Sequence, residues 1–264
     1  MKRKQKAGAG LVLTLDIGNT NINLGLFDDT KITMRARFST QRDATDDQYA
    51  VLLHTLFAMH GVSLGAIAGC VVSSVVPELT TALVEAVRTL TGKTPLVLSP
   101  GVRTGLNILI DNPAQLGADL AAGAVGAVQR HPLPAFVVDL GTATKIYAVD
   151  ENRSFHGCMI APGVQVSLQA LTSVSSLLPA IPLEAPKKAC GTNTVESMQS
   201  GVVLGTAAMI DGLLDRFAEE LGAPKSIVAT GGLSKCVYPV CRHEIRHDAD
   251  LILHGLKTIY DKNN

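Results

Sequence analysis

The sequence predicts an α/β protein with two similar domains, because a pattern of strand, acid, glycine turn and strand occurs twice. The first copy is residues 11–29 (LVLTLDIGNTNINLGLFDD), and the second is residues 136–150 (FVVDLGTATKIYAVD). Asp139 follows Asp16 at an offset of 123 positions, nearly half of the 264-residue chain, as a duplicated domain requires. The same offset aligns the two turns residue by residue: Gly141 with Gly18, Thr142 with Asn19 and Thr144 with Asn21.

Between and after these hairpins, segments with helical and strand-like apolar spacing alternate, which is typical of α/β domains. Pro77 suits the first turn of a helix, and Asn193 with Glu196 resembles a capping box. The predicted elements are helix 46–60, strand 68–76, a helix from Pro77, strand 96–98, a helix from Asn112–Pro113 to Arg130, helices 164–178 and 194–222, and a strand within 226–234. No low-complexity linker separates the halves. We therefore predict one domain at residues 1–115 and another at 116–264, with a cleft between them.

The composition excludes several classes of function. Lys plus Arg and Asp plus Glu number 23 each, so no net charge draws the chain to nucleic acid or to an anionic membrane. Residues 1–10 form a basic tail, and the apolar segment after it ends at Asp16, too short for a signal peptide or a membrane span. Five cysteines without a close CxxC pair indicate reduced thiols. We expect a cytoplasmic protein.

The repeated turn has the chemistry of a phosphate-binding loop. A turn of Gly, Asn and Thr presents backbone N–H groups and hydroxyls to one point, which suits a phosphate. An acid at the strand end repels phosphate directly, so Asp16 and Asp139 make better sense as holders of a cation or of its waters. A third turn at residues 230–232 lets backbone lie flat against a nucleotide. Phosphoryl transfer also needs a base, and Asp119 is the candidate, in the first turns of a helix among small residues.

These motifs together resemble the superfamily of acetate and sugar kinases, heat-shock ATPases and actin, which is built from two ribonuclease-H-like domains around a nucleotide cleft. More closely, the chain resembles type III pantothenate kinases over nearly its whole length and in the order of that family. The matching stretches are DIGNTN (16–21), SSVVP (73–77), GVRTGLNILIDNPAQLGAD (101–119), DLGTAT (139–144), IAPG (160–163), GTNTVESMQSG (191–201), ATGG (229–232) and DADLILHGL (248–256).

The resemblance implies an enzyme that uses ATP with Mg²⁺ to phosphorylate pantothenate to 4'-phosphopantothenate, the first step of coenzyme A biosynthesis, and that forms a homodimer. It implies a monovalent cation, potassium or ammonium, at Asp139 and the general base at Asp119. The implied ATP-binding residues are Asp16, Ile17, Gly18, Asn19, Thr20, Asn21, Ile22, Asn23 and Thr142. The implied substrate-binding residues are Gly117, Ala118, Asp119, Leu120 and Thr194.

The chain departs from the family pattern at three places. Leu120 replaces the usual arginine after the base, Ile110 replaces a common tyrosine, and Lys145-Ile146-Tyr147 replaces Thr-x-Asp. Loss of an arginine beside an acidic substrate could remove a charge-assisted hydrogen bond worth roughly 1.5–3 kcal/mol. Lys145 could restore the lost positive charge, mimic the cation beside Asp139, or be a surface lysine. The leading prediction remains the kinase, and these departures are the evidence for the alternative function, a degenerate paralogue that binds nucleotide and regulates a partner.

Each candidate residue also has a structural alternative. Asp16 and Asp139 could cap turns, Asp119 could be an acid favoured by the helix dipole, and Thr194 could cap a helix. Residues 243–247 (HEIRH) match the spacing of zinc proteases, but a zinc site requires both histidines on one helical face and a third ligand. We expect ordinary structural roles for this segment.

Overall fold

The structure is a computed structural model that describes residues 10–264. The basic tail predicted for residues 1–10 lies, except for its last residue, outside the described residues. The chain divides into two compact units. The first holds the described residues up to Gly105 together with Asn112–Gly126 and Ile252–Asn264, and the second holds Leu106–Asp111 and Ala127–Leu251. The units are thus interleaved in sequence. The domain limits 1–115 and 116–264 stay a prediction.

The described residues form alternating strands and helices. The strands are β1 Leu11–Ile17, β2 Asn21–Asp28, β3 Lys31–Ser39, β4 Ile67–Ser74, β5 Leu96–Val97, β6 Asn107–Ile108, β7 Ala135–Leu140, β8 Ala143–Val149, β9 Ser154–Pro162, β10 Ser226–Thr230 and β11 Arg246–His247. The helices are α1 Asp46–Met59, α2 Pro77–Thr91, α3 Ala118–Arg130, α4 Val164–Val174, α5 Thr194–Gln199, α6 Gly205–Leu221, α7 Ser234–Val237 and α8 Leu251–Asn263. Within this part of the chain, no helix is both long and apolar enough to span a bilayer.

The two units contain sheets of the same construction, as the duplicated hairpin predicts. The first sheet has the order β3-β2-β1-β4-β5, and the second has the order β9-β8-β7-β10-β11 with β6 added beside β9. In both sheets the first three strands are antiparallel, and the last two run parallel to the central strand. The fold is therefore α/β with two sheets of one topology, as predicted.

Strand alternation explains why each hairpin carries an acid after a buried strand. Leu13, Leu15 and Ile17 face the main core of the first unit, so Thr14 and Asp16 face the other side of the sheet. In the second unit, alternate residues of β7 again face the main core, and Asp139 points away from it. Each strand thus delivers its carboxylate to the same face of its sheet, at the carboxyl end.

Several predicted boundaries differ from the structure. The prediction that a helix starts at Asn112–Pro113 is wrong, because Pro113–Gln115 form one 3₁₀ turn and α3 begins at Ala118. The helix expected to reach residue 178 ends at Val174. A π-helical turn, Ser200–Leu204, separates α5 from α6 within the predicted helix 194–222. The start of α2 at Pro77 is confirmed.

Candidate active site

In the first unit, Asp16 lies where two parallel strands end. Its register partners are Asn23 on β2 and Ser73 on β4, and it is 7% exposed. The Asn23 amide donates a hydrogen bond to Asp16 Oδ2 at 3.4 Å. Among the described residues, Ser73 Oγ is fully buried and has no hydrogen-bond partner. A carboxylate beside an unsatisfied hydroxyl suits a hydrated divalent cation, which prefers oxygen ligands, so these residues fit Mg²⁺.

The loop after Asp16 is held by the end of β3 and the residues that follow it. Gly18 N–H donates to the carbonyl of Asn21 at 3.0 Å, which closes the turn. Thr40 Oγ1 donates to the carbonyl of Gly18 at 2.6 Å, and Arg42 donates to Asn19 Oδ1 at 2.7 Å. Asn19 is exposed, so the tip of the loop is open to an anion. Thr40 and Arg42 were missed by sequence reasoning, since nothing local in the sequence links them to the loop.

In the second unit, Asp139 occupies the equivalent place at the end of β7 and is 6% exposed. The register of β7 and β8 sets Lys145 directly opposite, and Lys145 Nζ lies 2.7 Å from Asp139 Oδ2. The Lys145 side chain is only 14% exposed. Lys145 is therefore one half of a largely buried ion pair, and of the three alternatives for Lys145 the surface lysine is wrong.

The register also corrects the alignment of the two turns. Gly18 N–H bonds to the carbonyl three positions on, whereas Gly141 N–H bonds to the carbonyl of Ala143, two positions on, at 3.1 Å. The second turn is thus one residue shorter than the first. Thr144 therefore does not match Asn21 as the constant offset predicts. Lys145, the register partner of Asp139, is therefore equivalent to Asn23, the register partner of Asp16.

Two glycines bring backbone against the second loop. A Cβ atom added at Gly163, which precedes α4, would lie 2.3 Å from the carbonyl oxygen of Thr142 and 2.6 Å from that of Gly141. Gly231, after β10, has a φ of 91°, and a Cβ there would lie 2.7 Å from Asp139 Oδ1. The IAPG and ATGG motifs thus supply the close contacts that shape the loop around Asp139.

Asp119 lies in the first turn of α3 and is partly exposed. It belongs to the first unit, as do Gly117, Ala118 and Leu120. Leu120 points inward and is 7% exposed, so it is a core residue of its helix. The Ala- and Gly-rich helix was expected to have a close neighbour, and α8 is that neighbour, because a Cβ at Gly255 would collide with the Ala122 carbonyl.

Thr194 belongs to the second unit, where it lines a cavity of about 910 Å³. The structural alternative for Thr194 is wrong: Asn193 is the helix cap, its Oδ1 accepting from Glu196 N–H at 2.9 Å. The wall of the cavity includes the π-helical turn, a feature often found at functional sites. The other lining residues come from the end of β9, from α4 and Leu178 after it, from residues 191–198 and from the start of α6.

The HEIRH segment does not form a helix. His247 lies in β11, stacks on Tyr238 and shares a hydrogen bond of 3.0 Å with Ser234, whereas His243 bonds to Asp215 at 2.9 Å. The two histidines thus serve different local contacts. Over residues 10–264, no three His, Cys, Asp or Glu side chains converge to hold a metal ion.

Comparison with known proteins identifies a family and a fold that this chain resembles. The family profile described as type III pantothenate kinase matches residues 12–216. The type III pantothenate kinase of Halalkalibacterium halodurans is 39% identical over 96% of this chain and 100% of its own. Among solved structures, component A of the (R)-2-hydroxyglutaryl-CoA dehydratase of Acidaminococcus fermentans matches with a TM-score of 0.57 at 15% identity, covering 96% of this chain and 97% of that one. The ROK hexokinase of Thermus thermophilus matches with a TM-score of 0.50 at 13% identity, covering 96% and 98%.

Proposed function

Because the chain belongs to the family of type III pantothenate kinases, we propose that it transfers the γ-phosphoryl group of ATP to the terminal hydroxyl of pantothenate. The products are 4'-phosphopantothenate and ADP, and the reaction is the first step of coenzyme A biosynthesis. The observation that carries the proposal is the full-length relationship at 39% identity together with the two Asp-x-Gly loops, which keep the same position in both sheets.

The first loop, residues 16–23, is proposed to bind ATP phosphates. Its exposed tip at Asn19 offers backbone N–H groups, and the Arg42 contact to the Asn19 side chain holds that tip. Magnesium supplies charge neutralisation of the phosphates when it is bound. Asp16 and the buried Ser73 hydroxyl would hold it or its waters. Thr142, in the second loop, is proposed to contact phosphate as well.

Asp119 is proposed as the general base that accepts the proton of the pantothenate hydroxyl. Its position in the first turn of α3 leaves the carboxylate partly exposed, as a base that meets a substrate must be. The small neighbours Gly117 and Ala118 leave room beside it. Leu120 is buried, so the substrate's carboxylate must find its positive or hydrogen-bonding partner elsewhere.

We propose that Thr194 and its cavity take part in substrate binding. The cavity, at about 910 Å³, is large enough for a molecule of the size of pantothenate or for part of a nucleotide. Leu171 and Met198 supply apolar wall, and Thr192, Asn193 and Thr194 supply polar atoms. This mixture suits a flexible, mostly apolar substrate with a few hydrogen-bonding groups.

The protein is proposed to be a homodimer through the second unit. Val174 and Leu177, at the end of α4 and just after it, are 83% and 89% exposed, and Ile160 and Leu171 add to the apolar surface. Exposed large apolar side chains are typical of protein interfaces, which supports a dimer contact at this surface. Changing Val174 and Leu177 together to Asp should give a monomer by light scattering. Val51→Asp, at a residue 68% exposed in the first unit, should leave the mass unchanged; a monomeric wild type would contradict the dimer.

The reaction is proposed to take place in the cytoplasm, where ATP is available and thiols stay reduced. The five cysteines, all of them among the described residues, form no disulfide, which agrees with that compartment. Equal numbers of acidic and basic residues support the expectation that neither nucleic acid nor a membrane surface is a partner.

The decisive experiment measures ADP release and 4'-phosphopantothenate formation with ATP, Mg²⁺ and pantothenate. We expect one product molecule per ADP and no ADP release when pantothenate is omitted. Intact ATP binding without product would contradict the kinase and favour the alternative, a nucleotide-binding regulator. A panel of other small alcohols in the same assay would show whether a different hydroxyl is preferred.

A further inference from the structure

We propose that the ammonium group of Lys145 takes the place of a monovalent cation at Asp139, so that this protein binds ATP without potassium or ammonium ions. The inference rests on the proposed function only in taking ATP as the nucleotide. The family resemblance implies a cation at Asp139, and the described residues do not fit one. Lys145 Nζ already lies 2.7 Å from Asp139 Oδ2, and a Cβ added at Gly231 would lie 2.7 Å from Asp139 Oδ1, so there is little room beside either oxygen.

The fold fixes this ion pair. Asp139 and Lys145 are direct register partners in adjacent antiparallel strands, where side chains on one face stand side by side. The Asp139 side chain is buried, at 8% exposure, and the Lys145 side chain is largely buried, at 14%. A buried carboxylate without a positive partner is strongly disfavoured, and the lysine meets that need from within the chain. A potassium ion would have to displace the ammonium group from the carboxylate, and the displaced ammonium group would then be largely buried without its partner.

The first hairpin provides an internal comparison. At the position equivalent to Lys145 it carries Asn23, whose neutral amide lies 3.4 Å from Asp16 Oδ2. The Asn23 amide carries no charge, so the neighbouring strand of the first hairpin does not neutralise Asp16 in the way that Lys145 neutralises Asp139. The Asp139 site has its charge neutralised by its own neighbouring strand. One sequence position, Asn or Lys, thus decides whether the neighbouring strand supplies a positive charge to the strand-end carboxylate.

A tethered ammonium and a dissolved cation differ in their dependence on concentration. Binding of a dissolved ion follows mass action, so its effect grows with its concentration. The Lys145 ammonium is present at every salt composition. We therefore expect the ATP affinity and the melting temperature of the wild type to be the same in potassium chloride and in choline chloride of equal ionic strength.

The test uses Lys145→Asn, which copies the pairing of the first hairpin. ATP affinity with Mg²⁺ is measured by titration calorimetry, and melting temperature by scanning calorimetry, both without pantothenate. In choline chloride we expect Lys145→Asn to bind ATP at least about tenfold more weakly than the wild type. Potassium or ammonium at ten times its dissociation constant should recover about tenfold, by mass action. Because neither readout uses pantothenate, both decide about Lys145 whatever the substrate is.

Lys257→Asn is the matched control. Lys257 is another buried lysine, with its ammonium 2.6 Å from Asp261, and its loss should lower the melting temperature without any recovery in potassium. The proposal is overturned if wild-type ATP affinity rises more than about threefold in potassium, a change of about 0.65 kcal/mol. It is also overturned if potassium does not raise the ATP affinity of Lys145→Asn, or if potassium restores the melting temperature of Lys257→Asn as well. A Lys145→Asn variant that fails to fold in both salts would overturn it too. Folding in potassium alone would support it.

Discussion

Replacing Gly163 by alanine should damage the loop at residues 141–142, which we propose to contact phosphate, through one steric contact. The backbone at Gly163 has a φ of −69°, which any residue adopts, so the new methyl group acts by volume alone. It would lie 2.3 Å from the Thr142 carbonyl oxygen and 2.6 Å from that of Gly141. Normal contact requires a shift of about 1 Å, and the neighbours are backbone atoms that cannot rotate away.

The size of the effect follows from these contacts. Overpacking against backbone lowers the free energy of unfolding by about 2–3 kcal/mol, and the smaller conformational entropy of the unfolded alanine variant raises it by about 0.4–1 kcal/mol. The remaining loss corresponds to a melting temperature lower by roughly 2–10 °C. Because the loop moves by a substantial fraction of an ångström, turnover with ATP should fall by up to about 100-fold.

Scanning calorimetry and steady-state kinetics measure these two effects, with Gly212→Ala as the matched control. Gly212 is exposed in the middle of α6, and a Cβ there meets nothing within 4 Å. Alanine at that position should stabilise the helix by about 0.5–1 kcal/mol and leave turnover unchanged. Wild-type melting temperature and turnover in Gly163→Ala would refute the reasoning, because the loop would then not depend on this close approach.

Two further predictions concern pH and thiol chemistry. Burial alone would raise the pKa of Asp248, but hydrogen bonds from His131 and Arg130 outweigh it and hold that pKa well below its usual range. The ionised Asp248 carboxylate therefore stabilises the folded protein fully above a pH of about 4, which is the pKa of Asp in the unfolded chain, and this stabilisation is lost as the pH falls further. The difference in melting temperature between wild type and Asp248→Asn should therefore shrink below about pH 4, and a constant difference would contradict this prediction. In a thiol titration of the native protein at neutral pH, the two exposed cysteines, Cys158 and Cys190, should react at once. Cys70, Cys236 and Cys241 should react slowly, because burial raises the pKa of each of these three thiols. Fast reaction of all five would contradict that expectation.

The duplicated architecture could be predicted because it depends on patterns that are local in sequence. A strand with period-two burial, an acid at its end and a glycine turn are visible in residues 11–29 and again in 136–150. The resulting sheets share one strand order, as expected. The candidate acids Asp16 and Asp139 likewise lie at strand ends, where the pattern places them.

What the sequence did not determine depends on register and on distant contacts. The second turn is one residue shorter than the first, and only the hydrogen-bond register reveals this. That single residue moves Lys145 opposite Asp139, where composition alone would have placed a lysine at the surface. The Thr40 contact to the first loop spans 22 positions, and it forms only because β3 pairs with β2. Pro113 permits either a 3₁₀ turn or an α-helix, so the start of α3 was not fixed by local preference.

The proposed mechanism depends on Asp119 as the general base, and one variant tests this directly. Asp119→Asn keeps the size and shape of the side chain but cannot accept a proton. We expect its turnover of pantothenate to fall by about 10²–10⁴-fold, while its dissociation constant for ATP stays within a factor of about two of the wild type. Asp111→Asn, at an exposed acid eight positions earlier, should retain wild-type turnover. Near-normal turnover in Asp119→Asn would contradict the mechanism, because the proton would then pass to water or to the phosphate without help from this carboxylate.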